Sequence, residues 1–261
     1  MVKQFILNYA GTKYKESKFL DTIDFSIYKI VIEPFCGSFG FSRYLYSDRG
    51  YKDKKYIFYD SDEELINFFN HIKQLIHNNE LEDFINEYNK YMDYFKEHFS
   101  LISNSRGTNI NRQSAQEYTK TIENKFIRYM IKKNSFNSVV CHTNYKHFQN
   151  FNMDDLDLIK NSEFINQNFL TIDFKNFKKK DTLIYLDPPY FLCDNTTYKD
   201  KSLNDIFEVF INLYDNNYKC MFIHSYNFLL NFVFKKYNYM SYEKIYGNTK
   251  RKVKHIVYYN T

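Results

Sequence analysis

A β-branched run, Lys29-Ile30-Val31-Ile32-Glu33, is halted by Pro34 and then by two glycines, Gly37 and Gly40, before Phe41–Tyr46 continues at helical spacing. Proline followed by glycines interrupts both strand and helix, so the order is strand, tight turn, helix. A second run, Lys55-Tyr56-Ile57-Phe58-Tyr59, ends at Asp60, and Asp62-Glu63-Glu64 then opens an amphipathic stretch carrying Leu65, Phe68, Phe69, Ile72, Leu75 and Ile76. Acidic residues suit a first helical turn because its unpaired N–H groups concentrate positive charge. The succession β-α-β-α is the start of a parallel sheet, and the fold class expected is α/β.

From about His77 to Phe151 the texture changes. Long polar-rich helical patterns cover Glu80–Phe99 and Ala115–Lys133, and Asn104–Arg112 is too hydrophilic for a core. The block reads as an inserted, mostly helical subdomain whose end, Asn134–Asn152, suits a hairpin or extended loop around Val139-Val140-Cys141. The sheet pattern resumes with Asn168–Phe174, Thr182–Leu186 and Lys219–Ser225, with a helix over Leu203–Tyr214 between the last two. Tyr239–Ile245 and Lys252–Tyr259 alternate and suit a closing antiparallel hairpin around Gly247-Asn248. Residues 1–76 and 161–261 are therefore expected to form one domain in two parts, with 77–160 inserted between them.

Composition narrows the function classes. With 36 Lys plus Arg against 31 Asp plus Glu, the net charge of +5 permits nucleic-acid binding without requiring it. Apolar stretches such as Tyr226–Phe234 fall short of the roughly 20 residues that cross a bilayer, and Met1–Gly11 lacks a signal-peptide pattern, so a soluble intracellular protein is expected. The four cysteines are scattered without a C-x-x-C pair or a histidine at ligand spacing, which argues against a disulfide framework or a zinc site. Cys36 reads as a small packing residue, for it has no evident base partner. The 26 Tyr and 27 Phe accompany Asn, Lys and Ile throughout, as A/T-biased coding produces, so no function is read from them.

The chemistry concentrates in Asp187-Pro188-Pro189-Tyr190, which follows a buried-type strand and so projects from the carboxyl edge of the sheet, where α/β folds place ligands. Two prolines lack N–H donors and leave main-chain carbonyls free to accept. A carboxylate, a free carbonyl and an aromatic face together form a receptor for a planar group bearing an NH2, such as a nucleobase with an exocyclic amine.

Asp187-Pro188-Pro189-Tyr190 with the upstream Glu33-Pro34-Phe35-x-Gly37 resembles the amino-group methyltransferases of DNA. More closely it resembles the Dam-type (alpha-class, D12-like) adenine-N6 enzymes, in which the motif for S-adenosyl-L-methionine (AdoMet) precedes the catalytic motif with a target-recognition insert between them. Asn8-Tyr9-Ala10-Gly11-Thr12-Lys13-Tyr14 looks like the family's Trp-Ala-Gly-Gly-Lys segment, with Tyr9 where Trp usually stands. The resemblance implies a Rossmann-like domain carrying a helical and hairpin insert at 77–160. It implies adenine-N6 methylation in a specific DNA sequence, with the target base flipped into the pocket formed by Asp187, Pro188, Pro189 and Tyr190. It places the Glu33–Gly40 turn against the methionine part of AdoMet, Asp60 on the ribose hydroxyls, and Phe35 with Thr171, Ile172, Asp173 and Phe174 beside the adenosine. Tyr9 and Lys13 border this site, with Lys13 near Asp187, which itself adjoins the cofactor. The partner implied is double-stranded DNA. No metal or membrane is implied, and a monomer is compatible with it.

This chain departs from the family pattern in two places. The family's Pro-Phe-x-Gly-x-Gly becomes Pro34-Phe35-Cys36-Gly37-Ser38-Phe39, with glycine returning only at Gly40, so a differently shaped turn is expected. The recognition hairpin of the family runs Asn-Arg-x-x-Phe-Asn-Gly-x-x-Arg-x-Asn. Here Phe136-Asn137 and Asn144 persist, while His142 stands near the position of an arginine used on guanine. Asn137, His142, Asn144 and Lys146 are thus candidate base or backbone contacts, and Lys250, Arg251 and Lys252 match a basic segment that suits phosphates. The same pocket would also serve RNA adenine or cytosine N4, since each presents an exocyclic amine. The sequence is compatible as well with a non-catalytic DNA-binding descendant, and less well with an unrelated Rossmann-type enzyme, which would leave Asp187–Tyr190 unexplained.

Overall fold

The computed structural model describes residues 5–7, 12–99, 109–134, 148, 152–188, 203–246 and 251–260. The chain forms two compact units, one of residues 1–12 and 64–161 and one of residues 13–63 and 162–261.

The second unit is built on a seven-stranded sheet. Its strands are β1 (Ile30–Glu33), β2 (Lys55–Asp60), β3 (Glu163–Asn166), β4 (Thr182–Leu186), β5 (Lys219–Ser225), β6 (Tyr239–Tyr246) and β7 (Arg251–Asn260), in the order β3-β2-β1-β4-β5-β7-β6. β1 to β5 pair in parallel, whereas β7 runs antiparallel to β5 and to β6. This is a Rossmann-like sheet with an antiparallel hairpin at one edge. Every residue of β4 is buried, as is the middle of β5, which is why these strands read as unbroken apolar runs rather than alternating ones. Aromatic rings pack the sheet, with Phe41 stacked on Tyr185 at 4.1 Å and Phe210 on Phe222 at 4.9 Å.

The sequence order reverses at β1, which has β2 on one side and β4 on the other, and such a reversal opens a crevice at the carboxyl ends of the strands. Register fixes what stands there. Ile32 pairs with Ile184 and Glu33 with Phe58, so Glu33, Asp60 and Asp187 end three adjacent parallel strands on one edge.

The first unit is helical in its described residues. It contains most of α2 (Glu63–Asn78; the short α1, Gly40–Arg43, belongs to the sheet unit), with α3 (Leu81–Phe99), α4 (Asn109–Thr121), α5 (Lys125–Asn134) and α6 (Met153–Asn161). The single helix expected over Ala115–Lys133 is in fact α4 and α5. Asn124 breaks it, its side-chain oxygen accepting from the amides of Phe126 at 3.1 Å and Ile127 at 3.3 Å, an N-cap arrangement.

A second expectation fails at Asn168–Phe174, which is not a strand but two 3-10 turns, Phe169–Thr171 and Phe174–Asn176. Asn168 accepts from Leu170 N and Asp173 from Lys175 N, and these side-chain bonds take amides that a sheet ladder would need. The edge strand is the four-residue β3 just upstream. The helix over Leu203–Tyr214 is α7 (Leu203–Asp215), the hairpin strands are β6 and β7, and α8 (Phe228–Val233) lies between β5 and β6. The turn at Gly247-Asn248 lies outside the described residues.

Candidate active site

Asp187 leaves β4 half-buried, and Pro188 after it is buried. The Asp187 carboxylate receives Lys13, whose Nζ lies 2.8 Å from Oδ2, with side-chain exposures of only 7% for the lysine and 18% for the aspartate. A carboxylate offers about four acceptor sites, so this bond does not exhaust it. Lys13 in turn is fixed at its backbone, where its carbonyl accepts from both the amide and the hydroxyl of Ser17 at 2.7 Å.

Glu33 ends β1 buried, and its Oε1 accepts from the amide of Ser42 at 2.7 Å, in the helix that follows the turn. Burial pushes its carboxyl up to about 8, opposed mainly by the Ser42 bond, while Asp187 adds to the rise and Lys13 offsets it. Pro34 is buried beside it and Phe35 half-buried, its ring 4.8 Å from Phe169.

The turn itself uses two left-handed residues, Gly37 at φ 46° and Phe39 at φ 41°. The second conformation is ordinarily one for glycine. Phe39 is held in it by complete burial, stacked on Phe58 at 4.7 Å and edge-on to Phe164 at 5.7 Å.

Asp60 at the end of β2 accepts from Gly37 N at 3.1 Å on Oδ2 and from Asp62 N at 3.0 Å on Oδ1. Its main-chain oxygen accepts from Gln167 N and from the Asn166 side chain, which bind the end of β3 to it. Ile172 and Phe174 are buried in the cluster against which Phe35 packs, whereas Thr171 and Asp173 are exposed. Cys36 is buried, and burial together with the nearby Asp60 holds its thiol well above the ordinary range, which makes it a packing residue.

The model of the D12 class N6 adenine-specific DNA methyltransferases matches residues 9–254, and so takes in every strand of this sheet but the last residues of β7. The chain belongs to this family. It is therefore an enzyme, an adenine-specific DNA methyltransferase, with DNA as its substrate. No curated protein matches it.

Of the residues singled out from the sequence, the fold of this methyltransferase brings Lys13 onto Asp187 and sets Glu33, Pro34, Phe35, Gly37 and Asp60 along the neighbouring strand ends. Tyr9, Pro189, Tyr190, Asn137, His142, Asn144, Lys146 and Lys250 lie outside the described residues. Arg251 opens β7, and Lys252 is exposed on it. Among the described residues no group of His, Cys, Asp and Glu is arranged to hold a metal ion, and no helix is long and apolar enough to cross a membrane.

Other residues, without a signal in the sequence, surround the same corner of the enzyme. His224 on β5 and His255 on β7 are both buried; burial, then Lys13 and Lys244, bring His255 down to about 4. In the sequence His255 closes a basic run that suggests an exposed face, because periodicity alone does not show where β7 enters the core. Glu16 and Lys244 form an ion pair across most of the chain's length, a relation with no local signature.

Proposed function

We propose that the enzyme transfers the methyl group of AdoMet to N6 of adenine in a specific sequence of double-stranded DNA, the base being flipped into a pocket of Asp187, Pro188, Pro189 and Tyr190. The observation that carries this reading is the Lys13–Asp187 pair at the carboxyl end of β4, beside Glu33 and Asp60.

The donor set fits AdoMet. The buried Glu33 carboxyl, raised to about 8, is drawn into its ionised form by an ammonium placed beside it, the two carboxylate oxygens of Asp60 suit a ribose diol, and Phe35 with Ile172 and Phe174 suits an adenine ring. Gly37 and Pro34 shape the turn between them, Thr171 and Asp173 flank the adenosine side, and Tyr9 borders it. When bound, AdoMet supplies an activated methyl group on sulfur, chemistry that needs neither a metal nor a covalent enzyme intermediate.

The chain's own residues supply orientation. The adenine amine is a poor nucleophile because its lone pair is delocalised into the ring. The Asp187 carboxylate and the Pro188 carbonyl accept its two N–H bonds, which favours a pyramidal nitrogen with its lone pair free to react. Lys13 holds Oδ2 and so fixes the carboxylate's rotation. Tyr190 stacks on the base. Residues 1–76 and 161–261 carry this chemistry, and 77–160 reads the DNA through Asn137, His142, Asn144 and Lys146, while Lys250, Arg251 and Lys252 contact phosphates.

Incubation with labelled AdoMet and duplex DNA, single-stranded DNA or RNA tests the reading. Label on N6 of adenine in duplex DNA is the expected result. Label on cytosine or on RNA would change the substrate assigned to the pocket, and DNA binding without any transfer would make the chain a non-catalytic descendant.

A further inference from the structure

Lys13 is not part of the sheet; it is delivered to Asp187 by the segment Lys13–Leu20, whose second half is a 3-10 helix, Glu16–Leu20. Something must therefore set where its ammonium stands. On the α1 side, the Tyr14 hydroxyl donates to Asp48 at 2.7 Å, Arg43 lies over the Tyr14 ring at 4.7 Å, and Lys18 pairs with Asp48 at 3.5 Å. Lys18 is 63% exposed, so that pair is weak. On the other side the segment meets the β6–β7 hairpin, where Glu16 pairs with Lys244 at side-chain exposures of 12% and 25%. The Phe19 ring lies 4.8 Å from Tyr242, and Tyr242 stacks at 5.1 Å on His255, its register partner on β7.

We propose that Glu16, Phe19, Tyr242 and Lys244 are positioning residues: the hairpin clamps the Lys13 carrier and thereby sets the ammonium on Asp187. This rests on the reading of Asp187 as the acceptor of the target amine. The ion pair and the ring contact fall three residues apart on the carrier, on one side of a 3-10 turn, so together they fix both its height and its rotation. Ser17, between them, transmits that placement to Lys13 through its two bonds to the Lys13 carbonyl. His255 is the buried wall behind Tyr242.

The test uses the full chain with Glu16→Gln, Lys244→Gln, Lys244→Arg, Tyr242→Ala, the charge swap Glu16→Lys with Lys244→Glu, and Lys13→Gln alone and combined with Lys244→Gln. Two quantities are read on variants whose melting shows them folded: steady-state methyl transfer to duplex DNA, and the labelling of the Lys13 amine by reductive methylation, followed by mass spectrometry. The clamp predicts that Lys244→Gln and Tyr242→Ala lower kcat on the order of tenfold, within the range a small misplacement costs, while the AdoMet KM is unchanged. Lys13 labelling rises in both, Lys244→Arg and the charge swap restore protection and rate, and the double variant is no slower than Lys13→Gln. Full protection of Lys13 in Lys244→Gln and Tyr242→Ala overturns the proposal, as does a double variant whose losses simply multiply. If the wild-type protein transfers no methyl group, the reading of the site fails, and Lys13 labelling still decides whether the hairpin clamps it.

Discussion

Phe39 stacks on Phe58 at 4.7 Å while its own backbone sits at φ 41°, so a large side chain holds a conformation that glycine would take freely. Two opposed effects meet at that residue. The left-handed backbone costs a non-glycine residue roughly 1–2 kcal/mol, and truncating a fully buried phenylalanine costs about 3–5 kcal/mol. Burial wins. Phe39→Gly, which restores the family's glycine, is expected to lower stability by about 2 kcal/mol, and Phe39→Ala by more, since it keeps the strain and loses the ring. Urea denaturation ranks the three proteins; a Phe39→Gly protein more stable than wild type would mean that the backbone strain outweighs the packing.

Glu33 makes stability depend on pH in an uncommon direction. Its carboxyl is raised in the folded protein to about 8, so between its unfolded value and that point the unfolded chain has released a proton that the folded one still holds. Stability contributed by this group therefore falls as pH rises across that window and levels off above about 8. Glu33→Gln keeps an acceptor for Ser42 and has no proton to lose. Thermal melts are expected to show Glu33→Gln gaining on wild type as pH goes from 5 to 8, and a constant difference between them would mean that Glu33 is ionised throughout.

Asp60 serves the turn and, in the proposed function, the cofactor. Asp60→Ala removes the acceptor of Gly37 N as well as the ribose contact and is expected to weaken AdoMet binding by about 10–100-fold, from the 1.5–3 kcal/mol of bonds to a charged group. Asp60→Asn retains one acceptor and should melt closer to wild type while still binding AdoMet weakly. Because a ribose contact is made equally before and during transfer, the rate at saturation changes less than the affinity. Calorimetry beside saturating-rate measurements separates these, and a loss confined to the saturating rate contradicts the role.

Much of the sheet is legible in the sequence. β1, β2, β4 and β5 read clearly because they are buried apolar runs cut off by Pro34, Asp60, Asp187 or Ser225. β3 does not, since it is four residues long and only Phe164 is buried, while the more strand-like Asn168–Phe174 is turned by its own Asn168 and Asp173 side chains. The joint between α4 and α5 rests on one asparagine inside a good helical pattern. Asp187 and Glu33 are marked by their neighbours in sequence. Phe39's left-handed backbone and the Glu16–Lys244 pair are not, the first because phenylalanine has no preference for that conformation, the second because it joins residues with no shared periodicity.

The reading of DNA bases gives a prediction from sequence alone, for the residues concerned lie outside those described. Arginine contacts guanine O6 and N7 with two parallel bonds that histidine cannot reproduce. With His142 near that place, the site methylated is expected to contain adenine without being restricted to GATC, and to be read less strictly at the position the hairpin meets. His142→Ala should alter preference among sequences, while Lys146→Ala should weaken binding to all of them and flatten the salt dependence. Methylation mapping on a random-sequence pool distinguishes the two. If neither variant changes site preference or salt slope, the hairpin is not the reader and the helical block Glu80–Lys133 is the place to search.

Every role proposed for the pocket depends on Asp187 accepting the target amine, and single-turnover methyl transfer to duplex DNA by Asp187→Ala isolates that step. The expected rate is lower by orders of magnitude, with DNA affinity near that of the wild-type protein and a lower melting temperature, because the buried Lys13 loses its carboxylate partner. Asp187→Asn, which keeps an acceptor for Lys13, separates the loss of rate from the loss of stability. Methylation at a near-normal rate by Asp187→Ala would contradict the role of this carboxylate.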